Sequence, residues 1–65
     1  MGRDDWSVRG FLGTRMLMET RHTGKASMNA EVAVWMERAR RCEATHIEIV
    51  NLSSGAKETV AWTLR

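Results

Sequence analysis

The chain has no proline, a single cysteine and no long apolar run, and each of these shortages excludes something. Cys42 cannot close a disulfide within the chain, and a lone thiol in so short a chain fits a reducing compartment. No stretch approaches the roughly 20 apolar residues that cross a bilayer, and the first residues carry acidic groups where a signal peptide would be apolar. No proline-rich or low-complexity segment marks a linker. We therefore expect one cytoplasmic domain, residues 1–65, without a membrane partner.

The length limits how much core the chain can build. A domain of 65 residues buries only roughly 60% of the surface that its unfolded form exposes, so a partner chain would add useful stability. Hydrophobic residues at 43% and charged residues at 28% indicate a folded globular protein. The net charge of +2 mildly favours an anionic partner and lacks the strong basic bias of a dedicated nucleic-acid binder.

The clearest periodic pattern predicts an amphipathic helix over Met28–Glu43. Ser27 is a suitable N-cap, since its hydroxyl can accept from a free amide of the first turn. Glu37 and Arg41 form an i,i+4 pair in the favourable orientation. The apolar side chains fall within an arc of roughly 120°, the width of a core-facing stripe: Met28, Val32, Trp35, Met36, Ala39 and Cys42.

Two segments that alternate in period two predict an antiparallel hairpin. They are Thr45–Asn51 and Glu58–Leu64, and Ser53–Ala56 between them has turn chemistry. Gly55 is able to adopt a positive φ in that turn. The last strand contains no proline and is a candidate edge, where another chain could pair.

The hydrophobic pattern of the hairpin also predicts its register. A loop centred between Ser54 and Gly55 pairs Ile49 with Val60 and Ile47 with Trp62. A shift of one residue would mix the two faces, so we expect the hydrophobic pattern to fix this pairing. This apolar face should pack under the Trp35 side of the helix.

The first part of the chain is ambiguous. Thr14–Arg21 contains a Met-Leu-Met run that fits a strand or a short helix, and we favour a strand because a lone hairpin is only marginally stable. A further strand around Trp6–Leu12 stays open, and Arg21–Lys25 is expected to be a loop. The predicted fold class is α+β: one amphipathic helix packed on a small antiparallel sheet in the order β-α-β-β, with an extra N-terminal strand as the option.

No motif in the sequence indicates catalysis. Cys42 lies on the apolar stripe, where a cysteine is usually inert, and one cysteine with two histidines does not make a zinc site. Gly10 and Gly13 have the spacing of the nucleotide-clamping loop of KH domains, but the two residues between them are apolar, which favours a turn or a strand irregularity. We expect a protein that is not an enzyme and holds no cofactor or metal.

Two surfaces are candidate partner-binding sites. The first is a basic strip on the exposed side of the helix, able to meet phosphates or an acidic protein surface, although a solvated helix face with favourable end charges is the simpler interpretation. Its members are Arg38, Arg40, Arg41 and Glu37, joined by Arg21 and Lys25 if the preceding loop folds back. The second is the outer face of the hairpin, which one helix cannot cover and which could form a homodimer: His46, Val50, Leu52, Thr59, Ala61 and Thr63.

A helix followed by a tight hairpin, without catalytic residues, resembles small phage and mobile-element proteins such as host-takeover proteins and anti-CRISPR inhibitors. The resemblance is architectural and covers roughly Ser27–Leu64. It implies a non-catalytic protein-binding module that occupies a surface of a larger host or phage protein complex. Many anti-CRISPR proteins that imitate DNA are strongly acidic and this chain is not, which favours blocking a protein surface or contacting nucleic acid over mimicry. Weak nucleic-acid binding through the helix arginines and a structural role in an assembly remain the alternatives.

Overall fold

A single helix packs on one face of a four-stranded antiparallel sheet in the computed structural model, which describes residues 3–62. The α+β class is confirmed, and so is the optional N-terminal strand. The sheet order is β2-β1-β3-β4, so that β2 and β4 are the edges. Thr63 and Leu64, which the sequence assigned to the last strand, lie outside the described residues. The elements are β1 Asp5–Leu12, β2 Arg15–Thr23, α1 Lys25–Arg40, β3 His46–Asn51 and β4 Lys57–Ala61.

The N-terminal third of the chain forms a hairpin whose first strand is central to the sheet. β1 pairs with β2 on one side and with β3 on the other. Gly13, with φ 63, begins the two-residue turn between β1 and β2, a position that requires the left-handed region and so favours glycine. β2 is exposed along most of its length, which explains why its sequence shows no clear alternation.

The expected loop over Arg21–Lys25 is wrong, because β2 continues to Thr23 and α1 begins at Lys25. Gly24, with φ 87, is the whole connection. Its amide donates to the carbonyl oxygen of Asp4 at 2.8 Å, which joins the end of β2 to the start of β1. The helix therefore starts before Ser27, whose hydroxyl is not the N-cap and lies 3.0 Å from Nδ1 of His22.

Trp35 is the centre of the core. Its side chain is 1% exposed and packs in one cluster with Val8 and Ile47. The sequence predicted the contact with the Ile47 face of the hairpin and did not predict the one with Val8. Gly10 makes room for the indole: a Cβ at Gly10 would stand 2.2 Å from Cη2 of the ring. The indole Nε1 donates to a carboxylate oxygen of Glu31 at 3.0 Å, which satisfies the buried donor.

The apolar stripe of the helix is narrower than predicted. Met28, Trp35 and Ala39 are buried, whereas Met36 is 45% exposed and Cys42 is exposed beyond the helix end. The predicted burial of Met36 and Cys42 is therefore wrong.

The helix ends at Arg40 instead of Glu43 because the chain turns into a left-handed C-cap. The amide of Cys42 donates to Ala39 O at 3.0 Å and that of Glu43 to Arg38 O at 2.9 Å, the bond pair of a Schellman motif. Cys42 has φ 60, and this position is usually glycine. No glycine signals the end of this helix in the sequence.

The register of the second hairpin differs from the prediction by two residues. Val60 pairs with Ile47, and Ile49 pairs with Glu58. Because side chains alternate with period two, the shift changes the partners and leaves the faces as predicted. Val60 and Trp62 are half-buried and pack against the core on the helix side of the sheet.

The side chain of Asn51 accounts for the shift. Its Oδ1 accepts from the amides of Ser53 and Ser54 at 2.9 and 3.1 Å, so that the turn begins directly after β3. Gly55 has φ 81, the positive value that the sequence predicted. A five-residue connection, residues 52–56, replaces the expected tighter turn.

Replacing Gly10 by alanine should lower the free energy of unfolding by at least about 2 kcal/mol, because the new methyl group overlaps the Trp35 indole. Urea denaturation followed by circular dichroism measures this loss. The same substitution in a Trp35→Phe background, where the ring is smaller, should cost less than in the wild type. Equal costs in the two backgrounds would show that the indole does not occupy the space above Gly10.

Replacing Cys42 by glycine should stabilise the protein by about 1 kcal/mol, since glycine adopts φ 60 without the steric penalty of a Cβ. Cys42→Ala, which keeps the Cβ, is the matched control and should gain nothing comparable. Denaturation under reducing conditions compares the three proteins. A glycine variant no more stable than the alanine variant would refute the left-handed cap.

Candidate partner-binding surfaces

The sheet has one face under the helix and one that the helix leaves open. Val8 and Ile47 point toward the helix and are fully buried. Their neighbours Arg9 and Glu48 point to the opposite side by strand alternation. We call this opposite side the outer face.

A row of aromatic and apolar side chains, one from each strand, crosses the outer face perpendicular to the strands. Phe11 pairs with Met16 of β2 and with His46 of β3, and His46 pairs with Ala61 of β4. The rings of Phe11 and His46 are stacked, with centroids 4.7 Å apart and planes 2° from parallel. Phe11 and His46 are half-buried, whereas Met16 is 52% exposed and Ala61 is exposed. We call these four residues the Phe11–His46 row.

Charged side chains of alternating sign occupy the middle of the outer face. Nε of Arg9 lies 2.6 Å from Oε2 of Glu19, and its Nη1 lies 3.9 Å from a carboxylate oxygen of Glu48. Nζ of Lys57 lies 3.5 Å from the other oxygen of Glu48. The hydroxyl of the buried Ser7 donates to Oε2 of Glu19 at 2.9 Å. The charged side chains in this part of the outer face pair with one another. The Phe11–His46 row is therefore the apolar part of the face.

The ion pair between Arg9 and Glu19 shifts the pKa of both groups. The hydrogen bond from Arg9, followed by that from Ser7, holds the pKa of Glu19 below its ordinary value. The same bond raises the pKa of Arg9. Glu19 is therefore held in its ionised form by groups on the neighbouring strand.

The structure brings most of the second predicted surface together. Leu52 lies in the connecting loop and is 43% exposed. Thr63 lies outside the described residues, so its predicted place on this surface is neither found nor excluded. Four of the predicted residues share the outer face, two of them in the row: His46, Ala61, Val50 and Thr59.

The predicted arginine strip is reduced to the end of the helix. Arg40 and Arg41 are exposed, and Glu37 lies between them at 3.8 and 4.0 Å from their nitrogens. Arg38 is half-buried, and its guanidinium carbon lies 4.6 Å from the centroid of the Trp35 ring. Arg38 therefore contributes to the core through a cation–π contact.

Arg21 and Lys25 do not extend this strip, because the loop that would have carried them does not exist. Arg21 pairs with Ser7 in the sheet and points to the outer face, away from the helix. Lys25 is the first residue of α1, about 22 Å along the helix axis from Arg40. The six residues predicted as one strip thus occupy four separate places.

The sequence analysis missed Phe11, Arg9 and Glu19 as surface residues. An alternation was present in β1, where Trp6, Val8 and Gly10 face the helix, and it would have assigned Arg9 to the other side. The two glycines of this segment predicted a turn or a strand irregularity, and the structure has both: Gly13 begins the turn after β1, and the register of β1 against β2 shifts between Gly10 and Phe11. Gly10 in fact lies within a strand under Trp35, so the glycine pair does not form a nucleotide-clamping loop.

Among residues 3–62, neither a metal-binding cluster nor a membrane-spanning helix assigns a role to these surfaces, and no similar protein does so. In residues 3–62 no three histidine, cysteine or acidic side chains stand close enough to hold a metal ion. The helix in this part of the chain is too short and too polar to span a membrane. Nε1 of Trp6 is buried and has no hydrogen-bond partner in the described part. No family model, curated protein or solved structure matches the chain.

Titration of Glu19 tests the charge network. We expect its carboxyl group to titrate below the ordinary value near 4.5, with Arg9→Gln raising its pKa more than Ser7→Ala does. A lowered pKa in the folded state means that the network stabilises the fold above the unfolded pKa and loses this contribution as the pH falls through the folded one. Carboxyl-detected NMR measures the pKa. Lys57→Gln is the control and should leave Glu19 unchanged, whereas an unchanged Glu19 pKa in Arg9→Gln would contradict the network.

Proposed function

We propose that the chain is a non-catalytic protein-binding module, an inhibitor or adaptor comparable to small phage proteins, that occupies a surface of a larger protein complex. The observation that carries the proposal is the Phe11–His46 row. Aromatic and apolar side chains aligned across all four strands, on the face without a helix, are typical of a contact site. The single cysteine, which fits a reducing compartment, supports action in the cytoplasm.

The surroundings of the row favour a partner with an apolar patch and an acidic rim. The amide of Thr45 donates to the carbonyl oxygen of Phe11 at 2.8 Å, and its hydroxyl accepts from the amide of Gly13 at 2.8 Å. Only a short connection separates Thr45 from the helix end, so Arg40 and Arg41 lie at the same end of the sheet as the row. Acidic groups around an apolar patch would complement these arginines.

Substituting Ala61 by glutamate tests the proposal at the row. The change puts a charge at the end of the row on an exposed position, so the fold should survive while the interface is lost. Ala33→Glu on the exposed side of the helix is the matched control. Affinity capture from a host lysate, with nuclease treatment, should yield a partner with the wild type and with Ala33→Glu, and at least tenfold less of it with Ala61→Glu, corresponding to about 1.4 kcal/mol.

Two further results would decide against this account. If Ala61→Glu and Ala33→Glu capture the same partner equally, the row is not the binding site. If the double variant Arg40→Glu with Arg41→Glu removes capture while Ala61→Glu leaves it intact, the helix end alone carries the binding. Circular dichroism of each variant verifies that it is folded.

Binding of single-stranded nucleic acid is the second candidate, and the stacked rings of Phe11 and His46 favour it. Aromatic rings on a sheet surface stack on bases, and arginines nearby contact phosphates. Counterion release makes such binding fall steeply with salt. Fluorescence titration with an oligonucleotide at 50 and 200 mM salt separates the candidates: a steep loss supports nucleic acid, and no binding at either salt concentration excludes it.

A further inference from the structure

The two edges of the sheet offer different templates to another strand. β4 is short, and its Lys57 is held by Glu48 at 3.5 Å; a lysine at an edge discourages pairing. β2 is longer, contains no proline and is exposed along most of its length. After a register shift near its start, the segment 18–23 runs regularly beside β1. The edge of β2 is therefore the better template.

Hydrogen bonds at the ends of β1 show which way its peptide groups point. The carbonyl of Asp4 accepts from Gly24 at the end of β2, whereas the carbonyl of Asp5 accepts from Leu52 at the end of β3. The carbonyl of Phe11 accepts from Thr45, again on the β3 side. Since neighbouring residues of a strand point in opposite directions, even-numbered residues of β1 bond to β2.

The open edge of β2 follows from this alternation. Thr20 pairs with Val8, an even-numbered residue of β1, so the peptide groups of Thr20 point inward. Those of Glu19 and Arg21 consequently project from the edge, free to bond to another strand. Their side chains also share the outer face, on either side of Thr20.

The side chains of Glu19 and Arg21 carry opposite charges, and each can form a further ion pair. Both contacts of Glu19, from Arg9 and from Ser7, use its Oε2, so its other oxygen has no hydrogen-bond partner among residues 3–62. Arg21 forms no ion pair within the same part of the chain. A strand that presented an arginine opposite Glu19 and a glutamate opposite Arg21 would complement this edge.

The β2 strand of a second copy of the chain presents these residues. We propose that two copies pair antiparallel through β2 about a twofold axis at Thr20, joining their sheets into one. Glu19 of each copy then faces Arg21 of the other, with main-chain bonds in both directions. Met18 faces His22 on the helix side of the sheet. Cross-strand pairs of opposite charge stabilise a sheet, and here the symmetry supplies two of them.

Neighbouring registers lack this complementarity. An axis at Glu19 would place the two Glu19 side chains opposite each other, and an axis at Arg21 would do the same for the two arginines. An axis at Met18 would place Arg21 opposite Arg15. Like charges directly opposite each other are destabilising, so the charge pattern selects Thr20 as the centre. The sequence suggested a dimer through the last strand or the outer face; this one leaves both free and does not depend on the proposed function.

Cross-linking tests the register directly. At the axis, the two Thr20 residues form a pair without mutual main-chain bonds, with Cα atoms about 4.5 Å apart, which a disulfide can bridge. In a Cys42→Ser background, Thr20→Cys should give a covalent dimer on mild oxidation. Met18→Cys, with its two copies roughly 13 Å apart, and Thr59→Cys on the β4 edge should not. A covalent dimer from Thr59→Cys and none from Thr20→Cys would overturn the proposal.

Charge variants test the pairing without a covalent bond. Sedimentation should show a wild-type dimer that Arg21→Glu weakens roughly tenfold or more, since both ion pairs become repulsive. Glu19→Lys should weaken it likewise, and an equal mixture of the two variants should restore a dimer, because each copy then complements the other. A wild type that stays monomeric, or an Arg21→Glu variant that dimerises as the wild type does, would contradict the proposal. Ala61→Glu should still dimerise, which separates this test from that of the row.

Discussion

The contact between Trp35 and Gly10 is the constraint on which the rest of the structure depends. An indole is a large apolar group for a chain of this size, and it is almost completely buried only because the strand beneath it has no side chain at Gly10. The helix can then lie close to β1 and β2 and bring Met28 into the same cluster. A small domain has few such contacts, so the loss of one has a large effect on its stability.

The same contact decides which surfaces remain available. With one helix placed over β1 and β2, no element of residues 3–62 covers the opposite face of the sheet, which becomes the site of the charge network and the Phe11–His46 row. The guanidinium of Arg38 lies over the Trp35 indole, so Arg38 is not one of the exposed arginines at the helix end. What remains is a sheet with apolar groups at one end of its outer face and complementary charges along one edge.

The features that were predictable from the sequence are those that depend on local pattern. The burial of Trp35 and the face of β3 that carries Ile47 follow from periodicity and were predicted correctly. The end of the helix was not, because a cysteine occupies the left-handed position where glycine would have marked the stop. The hairpin register depended on the Asn51 side chain, whose capping bonds compete with a tighter turn.

Features that depend on long-range pairing could not be predicted in the same way. Phe11 and His46 are far apart in sequence and stack only because β1 pairs with β3, so neither residue stands out alone.

The central claim, that Gly10 admits the indole of Trp35, is tested most directly by NMR. Strong nuclear Overhauser effects between the Gly10 Hα protons and the Hη2 and Hζ2 protons of Trp35 are the result that we predict. Their absence in the folded protein, with Trp35 instead showing contacts only to solvent-exposed side chains, would contradict the account.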